Sequence, residues 1–213
     1  KNAGSGTKTV ILKSDKPVRD FTVALSPDYK SVEDTFDNVR IKSFYLPGGE
    51  VAAGQALLCV KSLMSYYAGR FGAYPYQEFS IAPVPLGYGG EQMSGMIFID
   101  TRVYKLPGFL SRYFDFLVSH EAGHQWFYNL VGMDEYTQMW LEEGVNSYFV
   151  LEYLEQKYGK DAAIIDFPRW LKKYEWIFPQ FTFRRTRDYR YKIISRMGYD
   201  HAVVDKLWKF REP

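Results

Sequence analysis

Two histidines separated by three residues, His120 and His124, are the side chains of this sequence best suited to hold a metal ion together. Residues four apart lie one turn above each other on the same face of a helix, so both imidazoles can reach one ion. Glu121 is offset from both, so its carboxylate can stand beside the ion and accept a proton from water there. Polar groups within an apolar helix are costly unless something binds them. The spacing therefore predicts a metal site.

A third ligand is expected from one of two adjacent carboxylates, Glu142 and Glu143, which follow at the start of the next helical stretch. Neighbouring side chains on a helix point about 100° apart, so only one of the two should reach the ion. Two histidines, one carboxylate and an open position for water form the ligand set of a catalytic zinc. We therefore expect one Zn²⁺ ion, and the spacing leaves the choice of carboxylate open.

Residues 120–127, followed by Trp140–Gly144, resemble the zinc motif of the aminopeptidase N and leukotriene hydrolase family. Residues 19–21 and 70–76 also resemble segments of that family, so the similarity covers most of the chain. The resemblance implies a zinc metallopeptidase of the gluzincin type with a thermolysin-like catalytic domain. Among such enzymes it implies in particular an aminopeptidase, which releases N-terminal residues. It implies Glu121 as the general base and assigns three zinc ligands: His120, His124 and Glu143.

The same resemblance implies a second catalytic residue, Tyr199. The family places a tyrosine some tens of residues after the glutamate ligand, and Tyr199 matches it, with His201 where lysine is usual. Its hydroxyl would donate a hydrogen bond to the oxyanion that forms at the scissile carbonyl.

A glycine-rich loop at Gly89, Gly90, Glu91 and Gln92 resembles the substrate-binding loop of the family, which reads Gly-x-Met-Glu. The glutamate of that loop binds the free α-amine of the substrate, but here neutral Gln92 takes its place and Glu91 falls one residue earlier. A shift of one residue in a strand turns a side chain to the opposite face. Either the loop is bulged and Glu91 anchors the amine, or the anchor is weakened.

Two other functions remain open on the same residues. The altered loop makes an endopeptidase or another hydrolase credible, and a non-catalytic zinc-binding module is the alternative from a different class. The presence of Glu121 argues against the module, because a site that only holds zinc has no use for a base. A peptide is the expected substrate.

Composition excludes several classes of partner. Lys and Arg total 27 against 25 for Asp and Glu, and this balance predicts no nucleic-acid partner. The single cysteine, Cys59, cannot form an internal disulfide. No stretch of about 18 apolar residues exists, so this segment is expected to make no membrane contact. The sequence leaves the compartment open between cytoplasmic and membrane-associated or extracellular.

The hydrophobic patterns predict an α+β fold, with a mixed sheet lobe followed by a helical lobe. We expect residues 1–48 to be the tail of an N-terminal β-domain and residues 49–213 to be the catalytic domain, truncated at its C-terminus. Ser111 is the expected N-cap of the metal-binding helix. The predicted strands are 9–12, 21–25, 39–46, 79–84 and 96–100, and the predicted helices are 50–71, 112–131, 140–158, 161–176 and 200–210.

Overall fold

The chain combines a mixed β-sheet with helices, in a computed structural model that describes residues 2–3, 7–14, 16–134, 136–174 and 182–198. The strands are β1 (Asn2–Ala3), β2 (Thr7–Lys8), β3 (Lys30–Phe36), β4 (Val39–Tyr45), β5 (Glu78–Val84), β6 (Gly90–Met93) and β7 (Met96–Asp100). The α-helices are α1 (Glu50–Phe71), α2 (Ser111–Gly123), α3 (Val145–Tyr158) and α4 (Phe183–Arg196). The expected α+β class is therefore confirmed.

Five strands form one sheet in the order β3-β4-β5-β7-β6, and β1 and β2 pair separately. Strands β4, β5 and β7 run parallel to one another, while β3 and β6 pair antiparallel at the two edges. Side chains of β4 alternate between the core and the surface, since Val39 and Ile41 are buried while Arg40 between them is exposed. Strand β6 lies at one edge, and no other strand of the described residues pairs with its outer side.

Helix α1 crosses between the parallel strands β4 and β5 and packs on the sheet and on α2. One buried carboxylate joins the helices α1, α2 and α3. Asp115 of α2 accepts hydrogen bonds from Gln55 of α1 (2.7 Å) and from Lys157 (2.6 Å) and Tyr158 of α3. A buried charge is tolerated when it is paired and hydrogen-bonded, so this cluster fixes α2, which carries His120 and leads directly into His124, between its neighbours.

Two predicted strands are wrong. The ranges 9–12 and 21–25 are irregular and pair with no other strand among the described residues. Their apolar side chains face solvent, with Ile11 85% and Leu25 89% exposed, so no packed surface draws them into a sheet. Strand β3 was missed because its sequence is polar, and pairing with β4 rather than its own composition makes it a strand.

The predicted helix 112–131 is wrong in its second half, and so is the cap. Helix α2 begins at Ser111, so Ser111 is its first residue rather than its N-cap, and it ends at Gly123. The chain continues as a wider turn over Gln125–Leu130, which is non-helical at Phe127 and Tyr128. Hydrogen bonds there span five residues, as in a π-helix.

The C-terminal helices also differ from prediction. Over 161–174 the chain is mostly irregular, with one short 3₁₀ turn at Lys172–Tyr174. Pro168 lies in this range, and a proline disfavours helix in the residue before it. Helix α4 was not predicted, and the predicted helix 200–210 lies outside the described residues.

The remaining strands and helices agree with prediction to within one or two residues. These are 39–46, 50–71, 79–84, 96–100 and 140–158, the last formed by a wide turn at Trp140–Gly144 that leads into α3. The domain boundary at residue 48 stays a prediction, and the five-stranded sheet extends across it. None of the described helices is both long and apolar enough to span a membrane.

Candidate metal centre

Three predicted ligands converge. Within the part of the chain that the structure describes, ligand atoms of His120, His124 and Glu143 all lie within 4.8 Å of one another. The Nε2 atoms of the two histidines are 3.4 Å apart, and those of His120 and His124 lie 3.1 and 3.7 Å from the Glu143 carboxylate oxygens. His120 lies in the last turn of α2, His124 directly follows the end of α2, and Glu143 comes from the wide turn before α3.

A hydrogen bond from Nδ1 of His124 fixes the orientation of its ring and therefore of Nε2. His124 Nδ1 donates to the main-chain carbonyl of Phe127 at 3.2 Å, so its Nε2 carries the lone pair and faces the other two ligands. The non-helical backbone at Phe127 makes this carbonyl available. Burial lowers the pKa of His124 to about 4, so the imidazole is neutral at neutral pH. A neutral imidazole, a second imidazole and a carboxylate suit zinc.

The structure distinguishes the two adjacent carboxylates, between which spacing alone could not choose a ligand. Glu143 lies with the histidine Nε2 atoms, whereas Glu142 lies on the other side of His124, with its Oε1 3.6 Å from Nδ1. Glu142 is 3% exposed, and its Oε1 accepts a hydrogen bond from Gln92 Nε2 at 2.9 Å. Of the two, Glu143 therefore has the position of a ligand.

Asn146 joins α3 to α2, and no pattern in the sequence pointed to it. Its Nδ2 donates to the main-chain carbonyl of His120 at 2.8 Å. Its Oδ1 would be 2.2 Å from a Cβ at Gly123, so a glycine between the two histidines is needed for this approach. The small residue within the motif was the available signal for a close helix–helix contact.

Glu121 is buried beside the ligands. Its side chain is 5% exposed, and burial raises its pKa to about 7. Strand β6 approaches it closely, because a Cβ at Gly90 would lie 2.7 Å from Glu121 Cγ and 2.9 Å from Oε1. Gly90 therefore leaves the space that this carboxylate occupies.

The strand β6 presents its predicted substrate-binding residues on both of its faces. All four residues of β6 pair with β7 without a skipped position, so the strand has no bulge. Gly90 and Gln92 lie on the face toward Glu121 and Glu142, so Glu91 between them points to the opposite face. There Glu91 accepts a hydrogen bond from the hydroxyl of Tyr88 at 2.8 Å.

Gln125, which directly follows the second histidine, holds the other end of this strand. Its Nε2 donates to the carbonyl of Met93 at 2.8 Å, and its Oε1 accepts from the main-chain N–H of Gly95 at 3.0 Å. Sequence reasoning missed this residue, which is fully buried. The β6–β7 turn is thereby fixed to the metal-binding segment.

Two residues near the N-terminus support the same region from outside. Asp20 accepts hydrogen bonds from the main-chain N–H of Ser94 (2.9 Å) and from the hydroxyl of Tyr128 (2.8 Å). Arg19 donates to the carbonyls of Tyr128 (3.0 Å) and Met133 (3.2 Å). No local pattern in the sequence indicated these hydrogen bonds, which join residues 74 to 114 positions apart. Predicted Tyr199 lies outside the described residues.

Known proteins resemble this chain in the same region. Aminopeptidase N of Acetobacter pasteurianus is 28% identical over 155 residues, which are 68% of this chain and 43% of that protein. Aminopeptidase Q of Acinonyx jubatus is 47% identical over 51 residues, 22% of this chain and 5% of that protein. Endoplasmic reticulum aminopeptidase 1 of Mus musculus is 28% identical over 127 residues, 55% of this chain and 13% of that protein.

The chain spans less than half the length of each of these relatives. A family model described as the peptidase family M1 domain matches residues 63–179, which include the histidine pair and both carboxylates. This match covers more than half of the chain, and the chain therefore belongs to peptidase family M1.

Proposed function

We propose that this chain is the catalytic part of a zinc-dependent metallopeptidase with a thermolysin-like domain, and that it acts as an aminopeptidase on peptides. One observation carries the proposal: His120, His124 and Glu143 converge to within 4.8 Å, with the buried carboxylate of Glu121 beside them. Three protein ligands leave a fourth position for water, as in catalytic zinc sites. The names of the relatives, all aminopeptidases, agree with it.

Zinc, when bound, would polarise the scissile carbonyl and make water a better nucleophile. The chain's own contribution is a proton acceptor at the Glu121 carboxylate, which would take a proton from the attacking water and pass it to the leaving amine nitrogen. Burial suits this role, because a raised pKa lets one carboxyl group act first as base and then as acid near neutral pH. Tyr199 stays a predicted donor to the oxyanion.

An extended peptide would bind along β6. That strand lies at the edge of the sheet, directly beside Glu121, so main-chain groups on its outer side can pair with a substrate backbone. Added strands of this kind align the substrate through its main chain, and selectivity for side chains comes from the neighbouring pockets.

Amino-acid amides with a fluorogenic leaving group test the proposal when each is assayed with a free and with an N-acetylated amine. We expect the zinc-loaded chain to cleave the free-amine set alone, and chelation of the metal to stop the reaction. Cleavage of neither set by a zinc-loaded, folded chain would contradict a peptidase and favour the non-catalytic module.

An endopeptidase is the second candidate, and Gln92 is the observation that favours it. The residue at the predicted amine anchor is neutral, and its Nε2 is engaged by Glu142. Glu91 points to the opposite face of a strand that has no bulge. Equal cleavage of the free and acetylated sets would therefore establish the endopeptidase.

Replacing Gly90 with alanine is expected to lower kcat by about 10²-fold, with zinc affinity unchanged. The new Cβ would displace Glu121, and a shift of about 1 Å in a reacting group costs roughly this factor. Steady-state kinetics and competition for zinc with a chromogenic chelator measure the two quantities. Gly69→Ala, at a position with nothing within 4 Å, is the matched control. Full activity in Gly90→Ala would contradict the assigned role of the Glu121 carboxylate.

A further inference from the structure

The two adjacent carboxylates at the metal centre have different surroundings. Glu143 lies with the ligand atoms, whereas Glu142 lies behind His124, on the side of the ring nitrogen that faces away from them. Glu142 is nearly fully buried, and a buried carboxylate requires hydrogen-bond donors. The amide of Gln92, 50 residues earlier in the chain, supplies one at 2.9 Å.

We propose that Gln92 is a positioning residue of the metal centre, which holds Glu142 behind His124 and so leaves Glu143 to face the ion. This inference rests on the proposed zinc site. Adjacent residues of this wide turn point in different directions, so the orientation of one carboxylate sets that of the other. A turn rotated to bring Glu142 toward the ion would carry Glu143 away from it.

The position of Glu142 also benefits His124 itself. The His124 Nδ1–H already donates to the Phe127 carbonyl, and Oε1 of Glu142 lies 3.6 Å from the same nitrogen. Acceptors and negative charges behind a ligating imidazole fix its orientation and strengthen it as a ligand. Gln92 contributes by keeping the carboxyl group of Glu142 in place.

Gln92 must be both neutral and fixed for this role. A second carboxylate at 2.9 Å from Glu142 would repel it, so an amide donor is the compatible group. Strand β6 delivers the amide from a fixed backbone, since its four residues pair continuously with β7 and Gln125 holds the carbonyl of Met93. The hydrogen bond from Gln92 to Glu142 thus joins β6 to the wide turn that carries Glu143.

The test is the zinc dissociation constant of the whole chain, measured by competition with a chromogenic chelator. We expect Gln92→Glu to weaken zinc binding by about 10- to 100-fold, the range found when partners of metal ligands are removed. Gln92→Ala removes the donor without adding charge, and we expect about tenfold weaker binding. The exchanged variant, Gln92→Glu with Glu142→Gln, restores one donor facing one acceptor and should return to within about fivefold of wild type.

Two further measurements separate positioning from general damage. The visible absorption of the Co²⁺-loaded chain reports ligand geometry, and it should change in Gln92→Glu and recover in the exchanged variant. Gln156→Glu, which adds the same charge on the exposed side of α3, should leave both readouts unchanged. An unaltered zinc constant in Gln92→Glu and Gln92→Ala would overturn the proposal, and so would an exchanged variant no better than Gln92→Glu.

The outcome does not depend on catalysis. A wild-type chain that binds zinc tightly and cleaves no peptide would refute the proposed peptidase, while the comparison of zinc constants would still decide the role of Gln92. A wild-type chain that binds no zinc would overturn both.

Discussion

Replacing Glu121 with glutamine is expected to abolish peptide hydrolysis while the chain keeps its zinc. Glutamine has nearly the same shape as glutamate and fits the space beneath Gly90, but its amide cannot accept and return a proton. General acid–base catalysis contributes about 10²- to 10⁴-fold, and a loss in the upper part of this range follows when one group serves as both base and acid. Zinc content and kcat/KM, measured on the same preparation, check the two halves of the expectation.

The matched control for this variant is Glu50→Gln, the same chemical change at an exposed position in the first turn of α1. It should alter neither zinc content nor kcat/KM. Substantial hydrolysis by fully zinc-loaded Glu121→Gln would sink the assignment of Glu121 as the base. Loss of zinc together with activity would instead make Glu121 a support of the metal ligands.

Local patterns predicted the parts of the fold that local forces decide. Helix α1 has apolar side chains at helical spacing and glycines at both ends, Gly49 and Gly72, and its predicted bounds hold. Strands β5 and β7 are short apolar runs, and most of their residues are buried. For such segments the types and spacing of the residues are enough to predict the element.

Segments whose structure depends on distant partners were not predicted. Polar β3 becomes a strand because β4 pairs with it, while the apolar range 21–25 stays irregular because nothing described buries it. The segment after α2 likewise has distant partners, since Gln125 donates to the carbonyl of Met93 and Trp126 to the carbonyl of Gly72. Tertiary context overrides propensity in each case.

The residues of the candidate site were likewise predicted where local structure is enough and missed where distant contacts decide. Four-residue spacing was enough to select His120 and His124, because the helix brings them together by itself. Spacing did not choose between Glu142 and Glu143, since that choice depends on the amide of Gln92 from another element. The supports around the ligands arise from tertiary contacts that leave no periodic signal in the sequence.

Gly123→Ala is expected to destabilise the chain and to weaken zinc binding together. A Cβ at this position would lie 2.2 Å from Asn146 Oδ1 and 3.2 Å from a methyl group of Val150, so the Asn146 amide must shift and Val150 is pushed away from α2 together with α3. Overpacking of this kind lowers the free energy of unfolding by about 1–3 kcal/mol. The hydrogen bond from Asn146 to the carbonyl of His120 would be strained, and Glu143 would move with α3.

Urea unfolding of the metal-free chain measures the first effect, and chelator competition for zinc measures the second, which we expect to be about 10- to 100-fold. Gly54→Ala is the control, because nothing lies within 4 Å of its new Cβ and alanine favours a helix over glycine by up to about 1 kcal/mol. A Gly123→Ala chain as stable as wild type, with unchanged zinc affinity, would mean that the helices tolerate separation. A loss of stability alone would mean that Glu143 reaches the ion without the Asn146 contact, so only the joint loss ties the glycine between the two histidines to the placement of the third ligand.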